Sequence, residues 1–282
     1  MNPTSAIDIN FPYPRVMAVL NVTPDSFFDG GVLCDDKGFI SLDLALKKVE
    51  AYLNSGADII DVGGESTRPG ATPVNENQEL DRVIPVVEAI VTRFGALVSV
   101  DTSSPVVIKE SANAGAAMIN DVRALSRKGA VEAVFKANLS VCLMHMIGEP
   151  FNMQVTPSYN DELKEVKGFL LGRVSACESA GITREKIFVD PGFGFGKTLK
   201  HNLTLFRGLS ELSELGFPLV VGLSRKSMIG SILDKPANER IFGSVALAML
   251  AVQRGARILR VHDVAATVDV LKILHAVEGV YD

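Results

Sequence analysis

Short runs of β-branched and aliphatic residues alternate along this chain with longer segments whose apolar positions recur at helical spacing. The short runs are Val16–Leu20, Asp58–Val62, Leu97–Asp101, Met118–Val122, Ser140–Met144, Ile187–Asp190, Leu219–Leu223 and Ile258–Val261, and they read as strands. Leu42–Leu53, Leu80–Phe94, Val106–Ala114, Glu162–Ala180, Ser244–Arg254 and Ala265–Val277 read as helices. Glycine follows three of these helices, at Gly56, Gly115 and Gly255, where a left-handed residue closes the last turn. Ser104-Pro105 has the order of a helix start, a capping side chain and then proline at the first helical position. Strands that are apolar on both faces and alternate with helices predict an α/β fold, a (β/α)8 TIM barrel. One domain is expected over residues 1–282, with 1–14 as an N-terminal extension. A doubly wound sheet with an extra edge fits the pattern less well.

Polar residues fall where the predicted strands end. In chain order they are Asn21; Asp61 and Glu65; Asp101; Asn120 and Asp121; His145; Asp190; Ser224, Arg225 and Lys226; and Arg260 and His262. In a barrel of this kind the C-terminal strand ends converge on one mouth, where active sites lie. One or two such residues could merely mark the exit of a strand from the core. So many carboxylates, amides and cations at one mouth need partners or a ligand. Asp101, Asn120 and Asp190 offer acceptors and an amide suited to a flat heterocycle with several N–H donors, such as a pterin or a guanine-like ring. Arg260 and His262 share one strand face and would clamp an oxyanion, with Arg68 and Asn21 in reach of the same anion or its metal ion.

Composition narrows the partners. The chain has 282 residues, 47% of them hydrophobic, and a formal charge of −5 without a basic block, which argues against nucleic acid. No apolar run reaches the length of a membrane span, and the first residues lack the pattern of a secretory signal. Three scattered cysteines, Cys34, Cys142 and Cys177, argue against a zinc site and for a reducing compartment, so a cytoplasmic location is expected.

Two connections are long for a barrel. Residues 23–38 carry Phe27 and Phe28, and residues 63–75 carry Ser66-Thr67-Arg68-Pro69-Gly70; such loops are usually lids or binding elements. Asp190-Pro191-Gly192-Phe193-Gly194-Phe195-Gly196-Lys197-Thr198 looks at first like a phosphate loop. Pro191 stands where that motif needs its first glycine, however, and glycines at every second residue do not fit a dinucleotide fingerprint. A backbone bend that lets a ring approach closely, with Phe195 as one wall, accounts for the run better.

These segments together resemble the dihydropteroate synthase family over essentially the whole chain. The resemblance is carried by Leu20-Asn21-Val22-Thr23-Pro24-Asp25-Ser26-Phe27 and by Asp61-Val62-Gly63-Gly64-Glu65-Ser66-Thr67-Arg68-Pro69-Gly70. It continues through Val100-Asp101-Thr102-Ser103, Ile119-Asn120-Asp121, Asp190 to Lys197, Ser224-Arg225-Lys226-Ser227 and Arg260-Val261-His262-Asp263. The resemblance implies condensation of 6-hydroxymethyl-7,8-dihydropterin diphosphate with 4-aminobenzoate in folate biosynthesis, by dissociative displacement of diphosphate. It also implies that Asp101, Asn120, Asp190 and Lys226 hold the pterin. Asn21, Thr67, Arg68, Arg260 and His262 would hold the diphosphate, with Mg²⁺ on Asn21. Phe27, Thr67, Pro69, Phe195, Arg225 and Ser227 would surround 4-aminobenzoate, and Ser227 is expected at a helix start. Asp101, Lys226, Arg68 and Asp25 are the expected catalytic set. A homodimer and sulfonamide binding are implied in the same way. Phe28 and Ser104 depart from the family pattern, which commonly has a small polar and a basic residue there.

Three rivals share parts of this pattern. Lys226 at a strand end could serve a Schiff-base aldolase, although Arg225 and Asp190 nearby suggest a charged, hydrogen-bonding lysine. A pterin methyltransferase would share the pterin pocket without the full anion clamp. A pterin-binding protein without turnover would not need Asp25-Ser26-Phe27 or Thr67-Arg68-Pro69.

Overall fold

Eight parallel strands close into a barrel in the order of the sequence, with β1 paired to β8 through Arg15↔Ile258 and Met17↔Arg260. The strands are β1 (Arg15–Asn21), β2 (Ile59–Gly63), β3 (Leu97–Asp101), β4 (Met118–Asp121), β5 (Ser140–Met144), β6 (Ile187–Asp190), β7 (Leu219–Val221) and β8 (Ala256–Val261). The outer helices are α1 (Leu42–Asn54), α2 (Glu76–Phe94), α3 (Pro105–Asn113), α4 (Ala130–Ala137), α5 (Glu162–Ser179), α6 (Leu199–Arg207), α7 (Leu209–Ser213), α8 (Ser227–Leu233), α9 (Ile241–Val252) and α10 (Val264–Val277). The structure is a computed structural model and describes residues 7, 11–23, 41–66, 74–155 and 157–278.

The three helix-closing glycines take the left-handed conformation expected of them, Gly56 at φ +93°, Gly115 at +95° and Gly255 at +95°. Ser104 caps α3 by accepting from the Val107 N–H at 3.4 Å, and Pro105 is the first helical residue. The strand expected at 219–223 is shorter and ends at Val221, and its pairing with β8 carries a register irregularity at Leu219/Val220. The helices α4, α6 and α7 fill connections for which the sequence pattern gave no element, whereas α8 begins at Ser227, where the resemblance implies a helix start.

Two cores result from strand alternation. Outward-facing residues such as Ala18, Ile60, Val98, Ile119 and Val189 pack under the helices. Inward-facing residues, Met17, Ile59, Met118, Cys142, Phe188, Val220 and Ile258, fill the barrel axis. Ile7 and Phe11 close the bottom of that inner cluster, and Arg15 and Arg257 stack over the Phe11 ring at 5.3 and 5.1 Å. The plug confines access to the opposite, C-terminal end, where the strands finish in polar residues. Among the described residues no helix is long and apolar enough to cross a membrane.

Candidate active site

Side chains two residues further along a strand return to the same face, so the residues above the inner apolar layer also point down the barrel axis. From Ile59, Met118, Phe188, Val220 and Ile258, this step leads to Asp61, Asn120, Asp190, Gly222 and Arg260. The apolar barrel thus ends in a polar layer. Asp61 is fully buried and its Oδ2 accepts from Arg260 Nε at 2.6 Å and from Asn120 Nδ2 at 3.2 Å. Asp101 Oδ2 accepts from the terminal guanidinium nitrogen of Arg260 at 2.9 Å. Burial and the neighbouring Asp61 push the Asp101 carboxyl above its ordinary range, against the pull of Arg260. Asp190 is pushed up by burial, with Lys226 opposing. Among the described residues, Asp61 Oδ1 and Asn120 Oδ1 have no hydrogen-bond partner. Two unpaired acceptors buried at the mouth of a barrel are what a ligand rich in N–H donors would satisfy.

Arg260 is therefore held by two carboxylates rather than standing apart as an anion clamp. A guanidinium has five N–H donors, so these bonds are compatible with a further bond to an anion. His262 follows β8 and its Nδ1 lies 3.1 Å from Ser224 Oγ, which also accepts from the His262 backbone N–H. Gly222 makes room at this point: a Cβ there would lie 3.7 Å from the Arg260 Cβ and 3.8 Å from Lys226 Nζ. Asn21 ends β1 beside Gly63, with its Oδ1 3.4 Å from where a Cβ of that glycine would stand.

Lys226 and the glycine-rich loop form one wall. Lys226 Nζ donates to the Phe193 carbonyl and lies 4.9 Å from the centre of the Phe195 ring. Burial lowers its pKa to about 8, with Asp190 opposing. Lys226 is thus both desolvated and hydrogen-bonded. Ser227 begins α8, as expected. Arg225, in a left-handed conformation at φ +58°, turns to Asp263, with bonds of 3.0 and 2.5 Å to its carboxylate.

Asp61, Asp121, His145 and Glu65 differ in what they touch. Asp61 belongs to the polar layer. Asp121, one residue beyond Asn120 and so on the opposite face, accepts from the backbone of Arg123 at 2.8 Å and Leu125 at 2.7 Å and from Ser103. His145 is buried, with burial and Lys197 pushing its pKa down to about 3, and its Nδ1 lies 2.9 Å from Lys197 Nζ. Glu65 pairs with Arg123 at 3.2 Å.

Arg123 went unnoticed in the sequence. Its guanidinium joins Glu65 after β2, Ser103 after β3 at 3.1 Å and Glu149 after β5 at 2.8 Å, so one side chain ties successive connections around the mouth. The only signal was an arginine two residues past a strand end. Asp25, Phe27, Phe28, Thr67, Arg68 and Pro69 lie outside the described residues.

Residues 17–262 match the family described as pterin binding enzyme. The chain is 52% identical over 268 residues to the dihydropteroate synthase of Haemophilus influenzae, covering 95% of each chain. It is similar to the crystal structure of Yersinia pestis dihydropteroate synthase in a sulfonamide drug complex, with a TM-score of 0.90, 51% identity and 95% of each chain covered. The Xanthomonas albilineans dihydropteroate synthase with 4-aminobenzoic acid superimposes with a TM-score of 0.87 at 47% identity, over 95% of this chain and 94% of that one.

Proposed function

The chain belongs to the pterin-binding enzymes and, within them, to the dihydropteroate synthases, and on that premise we propose how its own residues join the two substrates. The reaction forms a bond between the amine nitrogen of 4-aminobenzoate and the methylene carbon of 6-hydroxymethyl-7,8-dihydropterin diphosphate. The bond from that carbon to the diphosphate oxygen breaks, the amine loses a proton, and 7,8-dihydropteroate and diphosphate leave. The observation that carries the reading is the buried polar layer of Asp61, Asp101, Asn120 and Asp190 across the top of the barrel, with unpaired acceptors on Asp61 and Asn120.

Asp101, Asn120 and Asp190 receive the N–H edge of the pterin, and Lys226 donates to its acceptor side. Departure of diphosphate leaves positive charge on the electron-rich ring, which the carboxylates of this layer favour in a site of low dielectric. Arg260, shared with Asp61 and Asp101, and His262 meet the leaving group, together with Thr67 and Arg68 of the second long connection. Asp25 and Phe27 belong to the first long connection, which would shield the developing cation from water. Phe195, Arg225 and Ser227, with Thr67 and Pro69, frame 4-aminobenzoate.

Mg²⁺ fits the donors present. Among the described residues no group of three or more His, Cys, Asp or Glu is arranged to hold a metal. The carbonyl oxygen of Asn21 is a single hard ligand, which suits an ion that takes its other ligands from phosphate oxygens and water. When bound there, Mg²⁺ would neutralise charge on the diphosphate. The protein assembles as a homodimer on this reading. The large apolar side chains exposed on α8, α9 and α10, namely Ile232, Phe242, Ile273 and Val277, support that assembly.

Titration calorimetry with the pterin diphosphate, alongside steady-state rates, tests the assignment. Asp101→Asn and Lys226→Ala weaken pterin binding about tenfold or more, the cost of one charge-assisted bond. Arg68→Ala lowers kcat with a smaller effect on that affinity. Unchanged affinity in both of the first two variants would contradict the pocket. The aldolase rival is excluded if borohydride with a carbonyl substrate leaves Lys226 unmodified, and a stable adduct there would support it.

A further inference from the structure

Five consecutive carbonyls of the loop between β6 and α6 each meet a side-chain donor. Lys197 Nζ donates to Gly192 O at 2.8 Å and to Phe195 O at 3.1 Å. Lys226 Nζ donates to Phe193 O, Gln154 Nε2 to Gly194 O at 2.5 Å and Tyr159 Oη to Gly196 O at 2.9 Å. The loop's own N–H groups are held as well, that of Gly192 by Asp190 Oδ1 at 2.6 Å and that of Gly194 by Asn202 Oδ1 at 2.8 Å. Gly192, Gly194 and Gly196 all lie in the left-handed region, at φ +69°, +82° and +62°. The alternation turns Phe193 inward to the ring of Phe206, 5.9 Å away, and Phe195 toward Lys226.

Lys197 differs from the other donors. It is 3% exposed, and among the described residues no carboxylate lies within ion-pair distance; its ammonium is surrounded by the two loop carbonyls, the Nδ1 of His145 at 2.9 Å and the His145 carbonyl at 3.5 Å. A buried ammonium without a paired carboxylate is costly, and burial lowers the Lys197 pKa to about 7. His145, pushed down to about 3, takes no proton at neutral pH and serves as an acceptor, with its ring set edge-on to Phe169 at 5.0 Å. A neutral residue of similar length would fill the same volume without that cost. What the ammonium adds is a single donor centre bridging both ends of the Gly192–Phe195 turn.

We propose that Lys197 is a positioning residue for the transfer reaction, its ammonium bridging the Gly192 and Phe195 carbonyls against His145 so that the loop presents the Phe195 ring and the Phe193 carbonyl beside Lys226. The inference rests on the reading of this wall as the one that 4-aminobenzoate meets. Asp101, Asn120 and Asp190 sit on strands, and of the pterin residues only Asp190 and Lys226 touch the loop, so pterin binding depends on Lys197 less than the second substrate does.

The test compares wild type, Lys197→Met and His145→Phe by steady-state kinetics in both substrates, with melting temperatures measured in parallel. Lys197→Met keeps the length and removes the donors; its KM for 4-aminobenzoate rises about tenfold, the size of one lost charge-assisted interaction, while pterin affinity changes by less than about threefold. His145→Phe keeps a ring and removes the acceptor, so it raises the same KM by a smaller factor and decides the matter if Lys197→Met does not fold. A merely structural Lys197 would instead lower the melting temperature and the amount of active enzyme and leave both KM values unchanged, which would overturn the proposal. A wild type that makes no dihydropteroate overturns the substrate reading and this inference with it, whereas product from wild type with an unaltered KM in both variants overturns the inference alone.

Discussion

Arg260 is the residue on which the polar layer balances. Asp61 has no exposure and Asp101 very little, and Arg260 reaches both. Removing one partner from a buried ionic group costs roughly 3–5 kcal/mol, because the charges left behind remain buried. Arg260→Gln therefore lowers stability toward urea by about that amount at pH 8. The Asp101 carboxyl is raised by burial and by Asp61 even with Arg260 present, and it rises further without it. The folded variant then binds more protons than its unfolded chain above the ordinary carboxylate range, so its stability falls as pH rises. The deficit of Arg260→Gln against wild type should shrink from pH 8 to pH 5, and adding Asp61→Asn should recover part of it. A deficit independent of pH would contradict the picture. Such residue-level partnerships were only partly legible beforehand. Strand-end position and alternation located Asp101, Asn120, Asp190 and Arg260, but nothing in the sequence says that Arg260 pairs with Asp61 across residues 199 positions apart.

Elements were legible where their ends carried chemical signals. The helix start at Ser104-Pro105 and the closing glycines at 56, 115 and 255 are local and stand where expected. The helices that went unseen lacked such signals. The N-cap of α4 is Gly129 in a left-handed conformation, without a side-chain cap, and α7 has five residues. The box that opens α6 pairs Thr198 with His201, not with the usual Glu or Gln. The glycine-rich run is the reverse case, since its alternation was plain and its cause tertiary. A Cβ on Gly192 would lie 1.8 Å from the His145 carbonyl oxygen, whereas one on Gly95, also left-handed, meets nothing within 4 Å. Gly95→Ala should thus cost only the backbone penalty, about 1–2 kcal/mol, with activity kept. Gly192→Ala must push β6 and the segment after β5 apart, and it should lose 4-aminobenzoate turnover along with much more stability. Equal melting temperatures for the two variants would show that the loop does not pack as described.

At the scale of the whole molecule, one closed barrel does two separate jobs. Its lower axis is apolar and plugged by Ile7 and Phe11, and its upper axis is polar and open to substrates. The fold class was readable because eight buried strands at regular spacing leave few alternatives, whereas assembly was not, because an exposed apolar residue on a helix looks the same whether water or another subunit covers it. Light scattering should give twice the mass of one chain, and Phe242→Asp should shift the protein toward monomer; a wild-type monomer would contradict the homodimer. The most direct test of the account follows diphosphate release from the dihydropterin diphosphate with Mg²⁺, with and without 4-aminobenzoate, while dihydropteroate is quantified by chromatography in the same samples. The account predicts release that depends on 4-aminobenzoate and one dihydropteroate for each diphosphate. Tight pterin binding with no dihydropteroate under any metal condition would contradict it.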